Sequence, residues 1–386
     1  PLEGESWPGG EPDRDFRVAG LLCFEDPVRP GVGEALRACH AARIRVIMVT
    51  GDHPATARAV ARELGLGDGD PRVVEGDSLA ARLAAGDATV LDAVDVIARA
   101  VPAQKLDLVR ALQSRGEIVA VTGDGVNDVP ALQAADVGIA MGGRGTRSAR
   151  EVAAIVLLDD NFRTIVRAIA EGRQLFTNLQ LSFAYLLMIH LPLVATAALI
   201  PLAGYPLLYL PVHVVLLELL IHPTALLVFQ ELPGDGALRP LRRQAGRVHF
   251  FDRWQWLVIG GVGLAVTVLV TATYVRSLGA GYDVDHARAM ALVALAAASA
   301  GITGWLSRLR GTAARIAVAA TLLGAYALVQ APGLARLLHL GPLHADDWAL
   351  ALGGGLLASA LATAARPGGG DRRRSGEPGA PAVGQA

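Results

Sequence analysis

Two carboxylates, Asp124 and Asp128, stand four positions apart in the run Thr122-Gly-Asp-Gly-Val-Asn-Asp128, with Asn127 beside the second. Hard oxygen ligands at this spacing, among glycines that let backbone approach phosphate, suit Mg²⁺ held next to a phosphoryl group. Asn127 is expected to orient the carboxylates by hydrogen bonding. An ordinary Gly/Asp/Asn turn would need neither the second carboxylate nor partners upstream. Such partners exist. Thr50, Gly51 and Asp52 follow an apolar run, and a threonine hydroxyl plus glycine amide there can hold phosphate oxygens, although the same three residues could simply cap the next helix. Lys105 is the only lysine among 35 basic residues. A chain that otherwise uses arginine keeps lysine where a compact ammonium charge is hard to replace.

The elements that must position these groups alternate. Residues 18–24, 45–50, 94–98, 118–122, 137–141 and 154–158 read as strands, with 118–121 a buried apolar run. Residues 31–42, 55–66 and 103–114 read as the intervening helices, while 67–93, rich in Gly, Asp and Ala, shows no clear period. Alternation of this kind predicts an α/β doubly wound parallel sheet, whose ligands bind at the carboxyl ends of strands. Thr50 and Asp124 both fall at such ends.

Composition divides the chain. Residues 1–175 are mixed and charged, 176–365 are dominated by apolar runs, and 366–386 form a Gly/Pro/Arg tail expected to be disordered. The net charge of −1 averages over this split and says little about partners; nucleic acid is not expected among them. Two cysteines, Cys23 and Cys39, argue against a disulfide framework and fit a reducing compartment. The chain opens at Pro1 without methionine or a signal-peptide pattern, and reads as a fragment.

The order Thr50-Gly-Asp52, Lys105, Thr122-Gly-Asp-Gly-Val-Asn-Asp128 resembles the haloacid-dehalogenase-type phosphorylation domain of P-type cation-transporting ATPases. Asp26-Pro-Val-Arg29, Gly138-Ile-Ala-Met-Gly142 and Asp159-Asp-Asn-Phe162 resemble further signatures of that family, and the likeness runs from about 18 to 233. It implies an ATP-driven pump working through an aspartyl-phosphate. Thr50 and Lys105 would bind the phosphate, Asp124 would ligate Mg²⁺, and Asp26 and Arg29 would touch the ATP. The family's Asp-Lys-Thr-Gly-Thr phosphorylation motif is absent from these residues, as are its nucleotide-binding domain and Thr-Gly-Glu loop. The expectation is therefore the back half of a pump, inactive by itself, with a missing N-terminal part as its partner. The segments expected are 1–17 as a remnant of a preceding domain, 18–160 as the phosphorylation domain, 161–178 as a stalk helix and 179–365 as the membrane domain.

Apolar stretches at 179–200, 207–229, 254–275, 289–306, 313–329 and 348–364 are each near the ~20 residues that span a bilayer, giving an all-α bundle of six helices in contact with membrane lipid. Arginines at 239, 242, 243, 247, 253, at 308, 310, 315, and in the tail alternate with loops carrying Asp283, Asp285, Asp346 and Asp347. That pattern places both soluble ends in the cytoplasm, with the cell membrane as the expected location. His190 falls midway along the first span and Glu218 midway along the second, with His222 one turn beyond it. Ionisable groups at that depth cost at least ~2.5 kcal/mol each and mark an ion pathway; a Glu–His pair locking two helices together is the plainer reading. Pro192 and Pro223 would free carbonyls one turn earlier. One carboxylate with two imidazoles suits a proton or a divalent cation of intermediate softness as the transported ion. Two other functions fit parts of the pattern: a membrane-anchored phosphatase, for which six spans exceed the need, and a half-pump that binds a partner without turnover.

Overall fold

The computed structural model describes residues 27–67, 70–230 and 250–365, with the single positions 232, 234 and 238. The expected strand at 18–24, residue Asp26, most of the arginine-rich loop and the tail lie outside them. Contacts divide the chain into two compact units, one holding 46–107 and the described residues before 38, the other 38–45 and everything after 107.

In the first unit, α1 (Val32–Ala41, which runs on past the unit's limit) is followed by β1 (Met48–Val49), α2 (Pro54–Glu63), β2 (Val73–Glu75), α3 (Gly76–Ala84), α4 (Val90–Ala93), β3 (Val96–Ala98) and the start of α5 (Pro102–Ser114). The three strands pair in parallel in the order β1-β3-β2, with Val96 opposite both Met48 and Val73. All three residues of β3 are buried, as befits a central parallel strand. The segment 67–93, which has no clear period, thus contributes a strand and two helices. A strand of three residues carries too little pattern to be seen, and its pairing with β3 is what makes it one.

The second unit contains β4 (Ala120–Gly123), a 3₁₀ turn (Val126–Asp128), α6 (Val129–Ala134), β5 (Val137–Met141), α7 (Arg147–Val152) and β6 (Ile155–Leu157). These strands are again parallel, in the order β4-β5-β6. The expected buried strand at 118–121 is displaced. The strand starts at Ala120, lies at the edge of its sheet, and Ile118 is 78% exposed.

Next comes α8 (Phe162–Leu202), one helix of 41 residues. Asn161 caps it by accepting from the Arg163 amide. Its first turns pack on the sheet, where Ile165 is buried with Ile139 and Leu157, and Phe162 and Ile169 flank them. Its later turns carry Leu181, Tyr185, Met188, Ile189 and Leu193 into the core of the apolar helices. Stalk and first span are therefore one continuous element, about 60 Å long at 1.5 Å per residue.

The remaining helices are α9 (Pro211–Thr224), α10 (Arg253–Gly279), α11 (Val284–Ser307), α12 (Thr312–Gln330), the short α13 (Pro332–Leu337) and α14 (Ala345–Ser359), which ends in a 3₁₀ stretch to Ala365. Among the described residues, six helices are long and apolar enough to cross a membrane. Pro223 has no N–H to give Leu219, and the helix loosens just beyond it into a π turn at Ala225–Phe229. The Ala225 carbonyl there accepts from Ser182 of α8 at 3.2 Å. Nearby, buried Asn178 donates to the Gln230 and Leu232 carbonyls at 3.2 and 3.0 Å, tying the end of this segment to α8. Alanine-rich α11 is the most enclosed span. Its backbone lies so close to α14 that a Cβ on Gly355 would meet Ala297 Cβ at 2.6 Å and the Ala298 nitrogen at 2.7 Å.

Candidate functional site

Parallel pairing carries Thr50 past the end of β1, where its amide donates to Ile97 and its carbonyl accepts from Ala100, both at 2.9 Å. The Asp52 carbonyl accepts from Arg99 at 3.0 Å, so the Thr50-Gly51-Asp52 loop is clamped to the carboxyl end of β3. Within it, the Thr50 hydroxyl donates to Asp52 Oδ2 at 2.8 Å and accepts from the Asp52 amide at 3.1 Å. The hydroxyl must turn from Asp52 to serve an incoming oxyanion. A Cβ at Gly51 would meet no atom within 4 Å, so this glycine keeps the loop's face open rather than relieving crowding. Lys105 lies half-buried in the first turn of α5, its amide donating to Val101. Arg29 is exposed just before α1, and Asp26 lies outside the described residues.

The carboxylate pair lies in the second unit. Asp124 follows β4 directly, and its carbonyl accepts from Thr146, the residue that caps α7, at 2.8 Å. Asp128 closes the 3₁₀ turn, and its Oδ2 accepts from the Gly125 amide at 3.2 Å. The Asp128 side chain folds back over the end of the strand. A Cβ on Gly123 would stand 2.5 Å from Asp128 Cβ and 2.9 Å from Oδ2. Glycine at 123 is thus what admits the carboxylate. Asn127 sits exposed in the same turn, beside Asp128. Two carboxylates and nearby backbone oxygens are a hard donor set that fits Mg²⁺.

The apolar helices bring a second group together. Glu218 Oε1 lies 3.3 Å from His190 Nε2, and Oε2 lies 2.8 Å from His222 Nδ1. The latter approach is close in distance only: Oε2 is shielded from solvent and its angle makes no full hydrogen bond. The His rings meet edge to face at 5.8 Å. His190 Nδ1 stands 2.8 Å from the Leu186 carbonyl, which can only accept, so Nδ1 carries a proton.

Sequence reasoning missed one further cluster, His286, His344 and Asp347. Only the spacing His344-x-x-Asp347 could have signalled it, since His286 lies far away in sequence.

Residues 4–136 match the haloacid dehalogenase-like hydrolase family, and residues 206–366 match the family described as cation transporting ATPase, C-terminus. The chain is similar to the cation-transporting ATPase pma1 of Synechocystis sp., at 47% identity over 182 residues, which is 47% of this chain and 20% of that protein. It is 34% identical over 279 residues to a calcium-transporting ATPase of Bacillus subtilis, covering 71% of this chain and 31% of the relative. A calcium-transporting ATPase of Bacillus cereus is 36% identical over 252 residues, 65% of this chain and 28% of the relative. The chain thus spans about a fifth to a third of the length of these proteins.

Proposed function

Because this chain belongs to the P-type cation-transporting ATPases, we propose that it supplies the Mg²⁺- and phosphate-binding part of an ATP-driven pump and part of its ion pathway. The observation that carries this reading is α8. The same helix packs its first turns on the sheet that bears Asp124 and Asp128, and carries His190 about 40 Å further on. Phosphorylation chemistry at one end and ion binding at the other thereby share one element.

In this reading Asp124 and Asp128 hold Mg²⁺, which neutralises charge on the transferring phosphoryl group when bound. The Thr50 hydroxyl, once turned from Asp52, and the Gly51 amide donate to phosphate oxygens, and Lys105 supplies a point charge. Asn127 orients the carboxylates, and Asp26 and Arg29 contact ATP. No Asp-Lys-Thr-Gly-Thr motif occurs in these 386 residues, so in this reading the phosphorylated aspartate is supplied by another part of the pump. In the membrane, Glu218 with His190 and His222 takes up a proton or a divalent cation. Calcium is in the names of the two Bacillus relatives; a single carboxylate flanked by imidazoles is a softer set than an oxygen cage. The soluble part and the tail face the cytoplasm of a cell-membrane protein. Asp124→Ala in the full-length pump is expected to abolish phosphoenzyme formation from ATP. Phosphoenzyme at the wild-type level would overturn the metal assignment.

A further inference from the structure

At the end of the helical bundle remote from the sheet, two histidines, one from α11 and one at the cap of α14, converge on one carboxylate oxygen. Asp347 Oδ2, in the first turn of α14, lies 3.2 Å from His286 Nε2 of α11 and 3.3 Å from His344 Nδ1 in the loop before α14. The three donor atoms all fall within 4.8 Å of one another. A tetrahedral ion with ligands at about 2.1 Å sets its donors about 3.4 Å apart. Two of the three edges already match, and only the His–His edge has to close.

The surroundings are those of a built site. Ser277 Oγ of α10 lies 2.8 Å from His286 Nδ1, which fixes the ring with Nε2 toward Asp347, the outer-sphere bond that metal-bound histidines characteristically make. Tyr282 stacks on the His286 ring at 4.0 Å and 10°. The loop before α14 crosses His286 at a glycine, Gly341, where a Cβ would stand 2.7 Å from the His286 nitrogen. The His286 and Asp347 side chains are each 7% exposed, whereas His344 is 65% exposed and opens one face to water.

We propose that His286, Asp347 and His344 bind one divalent transition-metal ion of the Zn²⁺ class, water completing a tetrahedron. Two imidazoles and one carboxylate favour such an ion over Ca²⁺ or Mg²⁺. The site shares no residue with the His190–Glu218–His222 group. It fastens α10, α11 and α14 to one another at this end.

The test is Co²⁺ titration of the chelator-stripped chain in detergent, read by visible ligand-field absorption and by equilibrium dialysis. The wild type is expected to bind one more Co²⁺ than His344→Ala, a change at a largely exposed side chain, with Zn²⁺ displacing it. Ser277→Ala should weaken this ion 10- to 100-fold, while His222→Ala should leave its absorption band intact. Asp347→Asn supplies a second ligand variant. The proposal is overturned if the wild type binds no Co²⁺, if His344→Ala and Asp347→Asn bind as many ions within tenfold of the wild-type affinity, or if the band disappears only with His222→Ala.

Discussion

Gly123→Ala offers the sharpest probe of the Asp124/Asp128 site. The added Cβ would lie 2.5 Å from Asp128 Cβ, against an ordinary contact of 3.4 Å or more, so Asp128 must retreat by about 0.9 Å. A displacement near 1 Å at a group that positions the reaction costs about 100-fold in rate, or about 2.7 kcal/mol at 1.36 kcal/mol per decade. Global stability should change little, because the turn is partly exposed and can shift outward without opening a core. Gly125→Ala is the internal comparison. Its Cβ would meet Asp128 Oδ2 at 3.4 Å, an ordinary contact, and its backbone suits alanine. In the full-length pump, phosphoenzyme formation from radiolabelled ATP across a Mg²⁺ series should fall about 100-fold in Gly123→Ala and less than about threefold in Gly125→Ala. Equal losses in the two variants, or a Gly123→Ala rate within threefold of the wild type, would refute the reasoning that crowding at Asp128 sets the metal geometry.

Three other outcomes are expected. Glu218→Gln keeps the side chain's size but removes the carboxylate between His190 and His222, so phosphorylation by ATP should persist while ion stimulation of turnover is lost; undiminished transport would sink the membrane site. Asp136 accepts from the Val119 amide at 2.8 Å and from Gln113, and these bonds hold its carboxyl below the usual carboxylate range. Its contribution is thus present above pH ~4 and fades as pH falls through the ordinary value toward the lowered one. Asp136→Asn should destabilise at pH 7 yet converge with the wild type in acid-unfolding curves near pH 2. Gly355→Leu forces a side chain into Ala297 and should cost at least about 1–3 kcal/mol, read as a lower thermal midpoint in detergent.

What could be read beforehand follows from how local each feature is. Thr50-Gly-Asp52 and the Asp124/Asp128 run are contiguous, and each follows an apolar strand, so both were legible as strand-end loops. Glu218 and His222 are one helical turn apart, hence visible together; the depth of His190 in its span suggested the third member. By contrast β2 exists because Val73 pairs with Val96, which no local pattern announces. Ile118 reads as part of a strand on its hydrophobicity, but an edge strand beginning two residues later leaves it in solvent. The His286–Asp347 contact joins residues 61 apart and needs the helices packed before it can be seen. Proline at 223 hinted at freed carbonyls, and the structure adds what the hint lacked, a π turn whose carbonyl is bonded by Ser182.

The close approach of α11 and α14 sets a limit on how this bundle can move. Where Gly355 faces Ala297, backbones interlock with no side chain between them to change rotamer. Sliding one helix past the other would have to lift a ridge out of a notch, so the pair behaves as a stator. In the pump proposed above, a stroke along α8 is therefore expected to be taken up outside the α11–α14 pair, with the π turn after Pro223 as the loosened register next to the Glu218–His222 turn.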